Sequence, residues 1–318
     1  MTLTRRTNAL LTGALVFASA CVGTDPEPSA GTEGNQPPAE DGNFTQRVYE
    51  RNFVFASLNG DSVFLVPWMM RTVEYPDTVM REARAWLARG GVWEPFFAER
   101  WWTPPSRTAG RIVPHQGLRL LVGDGDAIDG ILFEEGPRSL ELALGDVQAS
   151  WTGARGGSFV VVTGAAYLAD QRVDGMILDM ARASAGTAPP GGDWAFLLSG
   201  DSARFVLAAD DGYGGEADPI YRGWGDFEER ALQWPEVRVD WWRAEAFPPA
   251  RRDVPVAWRV WSADGLVEGE LEAVTAEIQA GEGPGPLLPV RALYEVVGEV
   301  STVEGTYPVR GILVHETR

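Results

Sequence analysis

The sequence predicts an all-β protein: two packed antiparallel β-barrels with one short helix. Three observations predict this. Apolar and polar residues alternate with a period of two over many short runs, the signature of half-buried strands. Among the 318 residues, 37 are glycine and 22 proline, and 10% are aromatic. That composition suits short strands and turns better than helices. The ordered body is about 270 residues long, more than one small barrel needs.

The chain opens with an address. Arg5 and Arg6 precede the apolar stretch Ala9–Ala18, broken only by Thr12 and Gly13. Ser19 and Ala20 then lead to Cys21. A basic start, a short apolar run and small residues make a secretory signal, and the run is too short to span a bilayer. The cysteine directly after Ala18-Ser19-Ala20 makes residues 1–21 resemble a bacterial lipoprotein signal with an acylated cysteine. Ala18 stands where leucine is usual. An ordinary signal cut nearby is the alternative. Val22, rather than an aspartate, after the cysteine implies the outer membrane of a bacterial envelope, reached through the lipid anchor only. Residues 22–46 are rich in Pro, Gly, Glu, Asp and Thr, and are expected to form a disordered tether.

The strands come next. Asn52–Leu58 and Ser62–Met70 flank Asn59-Gly60-Asp61, a strong hairpin signal because Asn and Gly tolerate positive φ. Pro76-Asp77 then opens a run with Val79, Met80, Ala83, Trp86 and Leu87 at helical spacing, closed by Gly90-Gly91. This predicts a helix over 77–89. The aromatic run Trp93–Trp102 follows. Leu140, Leu142 and Leu144 alternate with polar neighbours, as do Val267, Gly269, Leu271 and Ala273 with glutamates. Further strands are expected at Ser158–Leu168, Arg172–Met180, Ala203–Ala209, Val237–Ala244, Val256–Trp261, Ala292–Val300 and Tyr307–Glu316. Pro189–Gly192 is the best internal boundary. It divides the body into an N-terminal barrel, 47–188, and a C-terminal barrel, 191–318.

Near the end, Val254–Trp261 (VPVAWRVW), the strand Gly265–Ala273, Tyr294–Gly298 and Val309–Val314 follow one another. Upstream stand Val162–Tyr167 and Val173-Asp174-Gly175. This order resembles the AttH/carotenoid 1,2-hydratase-like family, whose second barrel ends with a Pro-x-x-Trp strand and two further motif strands. This chain departs from that pattern: no Trp follows Tyr294, Ile312 replaces a tyrosine and no glutamate follows Leu313. The resemblance implies two lipocalin-like barrels with an apolar pocket. It further implies a hydratase, a cyclase or a protein without catalysis.

Composition excludes several classes. The net charge of −18 argues against a nucleic-acid partner. Lysine is absent, so Schiff-base chemistry and a phosphate-loop lysine are excluded. A single cysteine allows no internal disulfide, and two histidines leave no usual zinc set. No cofactor and no metal are expected. Asp124–Glu135 has the look of a calcium loop, but Ile128 fills a ligand position, and an Asp/Gly-rich turn explains it. Asp210–Glu216 looks like a solvated hairpin tip.

Candidate chemistry is sparse. Asp174 shares a strand face with Met176, Leu178 and Met180. If that face lines a barrel, the carboxyl is desolvated and becomes a general acid. Arg310, on a face with Ile312 and Val314, is a candidate interior cation for a ligand carboxylate. His315 shares a face with Leu313, Val309 and Tyr307, but its place near the chain end suggests exposure. His115, between Pro114 and Gln116, is expected in a loop. Thirteen tryptophans are the most prominent feature. Trp101-Trp102 and Trp241-Trp242 each place one indole on either side of an extended chain. Trp102, Tyr167, Trp224, Trp242, Tyr294 and Arg310 are therefore the candidate ligand-binding set. The expected function is a lipid-anchored binder of an apolar small molecule such as a lipid, polyene or polyketide. The alternatives are a cofactor-free hydratase or cyclase using Asp174, and a surface interaction module.

Overall fold

The computed structural model describes residues 47–60, 62–105, 112–123, 128–153, 156–169, 171–185, 193–200, 203–209, 221–227, 230–283 and 285–317. Cys21, the tether, residues 124–127, Pro189–Gly192 and Asp210–Glu216 lie outside them.

Nine strands form one antiparallel sheet: β1 (Arg47–Asn59), β2 (Ser62–Glu74), β3 (Val79–Arg89), β4 (Val92–Thr103), β5 (Leu118–Val122), β6 (Ile128–Glu135), β7 (Arg138–Thr152), β8 (Ser158–Leu168) and β9 (Gln171–Ala185). Their order is β4-β3-β2-β1-β9-β8-β7-β6-β5, so β4 and β5 are its edges. The sheet curls around a core that includes Phe53, Phe55, Trp68, Phe97, Leu118, Phe133 and Leu142. Eight more strands close a barrel: β10 (Trp194–Ser199), β11 (Ala203–Ala209), β12 (Tyr221–Phe227), β13 (Ala231–Phe247), β14 (Arg252–Ser262), β15 (Val267–Ala280), β16 (Val290–Thr302) and β17 (Gly305–Thr317). The fold is all-β, a curled half-barrel sheet packed on a closed eight-stranded barrel.

The expected helix over 77–89 is a strand. β3 lies between β2 and β4 and is buried on both faces. Ala83, Ala85 and Leu87 face the half-barrel core, while Trp86 and Ala88 face the other way. With both faces apolar, no two-residue alternation remains, and the helical spacing of Met80, Ala83 and Leu87 is coincidental. Among the described residues the helical geometry is confined to a 3-10 turn, Pro248–Ala250.

The outer faces of the two units meet in an apolar seam. Val54, Leu65, Trp86, Phe159, Leu178 and Met180 from the sheet pack on Trp194, Phe196, Trp224, Leu293, Ile312 and Val314 from the barrel. One margin of the seam is charged. Arg71 reaches Glu50 at 2.6 Å and Glu316 at 3.4 Å. Arg291 reaches Glu316 at 2.5 Å and Glu82 at 3.7 Å. Arg182 completes the group on Glu50 at 3.0 Å. Burial alone would raise the Glu316 carboxyl, but Arg291 and Arg71 outweigh it and hold it at about 2. The same balance, with Arg84, Arg291 and Arg100, pulls Glu82 down to about 2.

Candidate active site

The barrel lumen has two different halves. At one end Phe205, Phe227, Trp234 and Tyr307 fill it, with ring centroids 5.4 Å to 6.4 Å apart. Such stacking closes a small barrel with side chains alone. The other end carries polar groups. β17 alternates, so Val309, Leu313 and His315 point inward while Ile312, Val314 and Glu316 face the seam. Barrel closure pairs β17 with β10. That pairing brings Asp193, the residue before β10, to His315. The imidazole Nδ1 lies 2.9 Å from Asp193 Oδ1. Both side chains are buried, at 0% and 3% exposure. The Glu316 backbone N–H also donates to Asp193 Oδ1, at 3.4 Å.

A carboxylate only accepts, so Nδ1–H donates to it, and in the neutral ring Nε2 keeps its lone pair. This is the arrangement that orients a histidine base. Nε2, Asp193 Oδ2 and the Tyr294 hydroxyl are all buried without a protein partner. Tyr294 lies opposite Leu313 in the β16–β17 ladder and is therefore the diagonal neighbour of His315 on the lumen face. Burial holds its hydroxyl well above the ordinary tyrosine value, and the charges of Asp193 and Glu245 add to this. The hydroxyl is thus a donor throughout the neutral range. Trp258 packs edge-on against Tyr294 at 5.0 Å.

The β14–β15 ladder beside this group is incomplete. β14 pairs with β15 only from Ala257 to Trp261, so the chain from Arg252 to Val256 diverges from β15. Trp241 lies opposite Trp258 and hence faces the lumen, yet it is 45% exposed. It stands edge-on to His315, with centroids 4.9 Å apart. Ala276, opposite the lumen-facing Tyr294, is also exposed. Trp241 therefore separates solvent from the buried imidazole.

The sequence-derived candidates scatter. Asp174 is not a desolvated acid. Its side chain is 72% exposed and pairs with Arg172 at 2.7 Å. The reason is that the face of Leu178 and Met180 meets the other unit rather than a lumen, and Asp174 lies beyond the contact. Arg310 shares the seam-facing side of β17 with Ile312 and Val314, so it is not an interior cation. It faces Glu295, whose carboxyl is raised by burial against the opposing charge of Arg310. Trp224 is a seam residue on Phe159 at 4.5 Å. Trp102 is half-buried beside Tyr75, and Tyr167 is half-buried beneath Arg172. Trp242 points outward at 47% exposure, with Arg243 against its ring. Tyr294 is the member of the set that lies in the lumen beside the Asp193–His315 pair. His315, expected to be exposed, is fully buried because β17 runs to Thr317. His115 stacks on Trp101 at 4.5 Å. Sequence reasoning missed Asp193 altogether. Its signal would have been the acidic residue opening the strand that follows the Pro-Gly boundary.

Fold and site together define an all-β protein in which a curled half-barrel sheet packs on a closed barrel whose lumen holds a buried histidine–aspartate pair. Solved structures share this fold. An AttH protein from Nitrosomonas europaea matches over 86% of this chain and 92% of its own, at 12% identity and a TM-score of 0.58. CghA, solved with Sch210972, matches over 85% and 87%, at 12% identity and a TM-score of 0.50. Kievitone hydratase from Nectria haematococca covers 84% and 87%, at 9% identity and a TM-score of 0.49. At 12% identity the likeness to the first two is one of fold. The architecture implied by the C-terminal motifs is thus the one the chain has. No protein-family model and no curated protein matches the sequence.

Proposed function

We propose that the chain is a cofactor-free enzyme of the hydratase or cyclase kind, acting on an apolar small molecule in the lumen of the closed barrel. The observation that carries this is the buried Asp193–His315 pair with Nε2 unpartnered. An imidazole oriented by a carboxylate is equipped to take a proton and return it. The lumen walls, which include Leu271, Val254, Leu313 and Trp258, suit an apolar body. CghA, a structure of the same fold, was solved with Sch210972, which supports a bound ligand. Catalysis is preferred over the passive carrier because a carrier has no use for an oriented base. The residues assigned are His315 as acid–base group, Asp193 as its orienting partner and Tyr294 as hydrogen-bond donor. In this reading the enzyme works at the outer membrane of a bacterial cell, anchored through acylated Cys21.

The test uses apolar extracts of the host, incubated with the purified body in ¹⁸O-labelled water. Wild-type protein is expected to produce label-bearing or mass-shifted products, and His315→Ala none. Products that form equally with His315→Ala would overturn the assignment.

A further inference from the structure

Four polar atoms in this lumen are buried without a protein partner: His315 Nε2, Asp193 Oδ2, Tyr294 Oη and Trp258 Nε1. Elsewhere among the described residues such orphans are all donors: indole N–H groups, as at Trp68, Trp86 and Trp224, the amide of Asn52, and guanidinium N–H groups of Arg182 and Arg204 that already serve an ion pair through another nitrogen. A buried polar atom left unpaired is costly, and a cluster of them marks a place where a ligand supplies the partners. Their chemistry is unequal. Tyr294 and Trp258, edge-on to each other at 5.0 Å, offer two donors. His315 Nε2 offers a lone pair two residues along the same face. Two donors beside one base fit a carbonyl oxygen next to an acidic C–H.

We propose that the site takes a neutral carbonyl compound bearing an α-hydrogen, with an apolar body, and converts it to its enolate. The proposal rests on the acid–base reading and names its substrate class. In the forward step the α C–H bond breaks and its proton goes to His315 Nε2. Its electron pair becomes the new C=C bond, and the carbonyl π pair moves onto oxygen. Tyr294 and Trp258 donate to that oxygen, and Asp193 holds the imidazolium. Where the β-carbon carries a hydroxyl, the oxygen pair re-forms C=O, the C=C bond shifts to the α and β carbons, and the C–O bond breaks. His315 returns its proton to the leaving hydroxide as water. The reverse sequence hydrates a conjugated carbonyl compound. Neither direction needs a redox partner.

The exclusions are equally physical. A plain alkene has no acceptor for Tyr294 and Trp258, so both donors stay unpaired. A carboxylate ligand would meet Asp193 and Glu245. Arg252, opposite Phe247 at the end of the β13–β14 ladder, donates to Thr317 instead.

The test is hydrogen exchange of 1-tetralone in D₂O, followed by proton NMR, with tryptophan emission reporting binding. Wild-type protein is expected to accelerate loss of the C2 protons saturably. His315→Ala should abolish the acceleration while emission still reports binding. Tyr294→Phe, which removes one oxygen only, should lower the exchange rate about 100-fold with the dissociation constant changed only a few-fold. Saturable binding without exchange overturns the proposal, as does exchange that survives His315→Ala, or absence of binding. If ¹⁸O-labelled products depend on His315 while 1-tetralone is not exchanged, the acid–base function stands and the carbonyl class falls. If neither occurs, both fall.

Discussion

Asp193 fixes one tautomer of His315, and a single oxygen-to-nitrogen change disturbs it. An amide at 193 can also accept from Nδ1–H, but it can equally donate and invert the imidazole. It also carries no charge to hold an imidazolium. Asp193→Asn is therefore expected to lower turnover by about 10³- to 10⁴-fold, as loss of the carboxylate does in serine-protease triads. The circular dichroism spectrum should keep its β shape, because β10 and the barrel ladder do not depend on that charge. Asp174 is the contrasting carboxylate. It lies in water with an exposed arginine partner, and exposed pairs of this kind contribute little. Asp174→Asn should leave turnover and melting temperature where they were. A large loss from Asp174→Asn, or full activity in Asp193→Asn, would reverse the two roles.

Strands carry different amounts of information according to what covers them. β15 has one wet face, so Val267, Gly269 and Leu271 alternate with Glu268, Glu270 and Glu272, and the strand is legible in the sequence. β8 and β11 were legible to the residue for a related reason, being bounded by turn residues. β3 and β10 are buried on both sides. Their apolar runs have no period to read, and β3 imitates a helix. The site is hidden for another reason. The parity of β17 puts His315 on the face of Leu313, which the sequence does show. Its partner lies 122 residues earlier and arrives only through the β10–β17 pairing that closes the barrel. The two-faced burial of β3 has a measurable consequence. Trp86 is 2% exposed and fills the seam between the units. Trp86→Ala leaves a large void that rigid ladders on either side cannot close, and should cost about 3–5 kcal/mol in urea unfolding. A cost under about 1 kcal/mol would mean that the seam is not tightly packed there.

At the scale of the whole molecule, anchoring and acid stability are separate questions. Cys21→Ser should release the protein from membranes, as measured by fractionation, because acyl chains on that sulfur are the proposed attachment. Unchanged membrane fractionation would remove the lipoprotein reading and leave the folded body as it is. Acid stability belongs to the charged margin of the seam. Glu82 and Glu316 each have an ordinary value of 4.5 and are held at about 2 in the fold. A folded-state value below the unfolded one means that stabilisation is complete above about pH 4.5. It is lost as pH falls from about 4.5 to about 2, where the native carboxylates take up their protons. Each contributes on the order of 3 kcal/mol at neutral pH, and the two are linked because Arg291 serves both. The chain's isoelectric point is about 4.5, so its net charge turns increasingly positive over this range, and the growing self-repulsion adds to the loss. Comparing wild type with Glu316→Gln cancels that common background. The variant should be less stable at pH 7, since Arg71 and Arg291 lose a buried partner, and its stability should fall less steeply between pH 4.5 and 2. Urea midpoints across that range measure both slopes. Parallel slopes would show that Glu316 titrates alike in the folded and unfolded chains. The charged margin would then not be what couples the curled sheet to the barrel in acid.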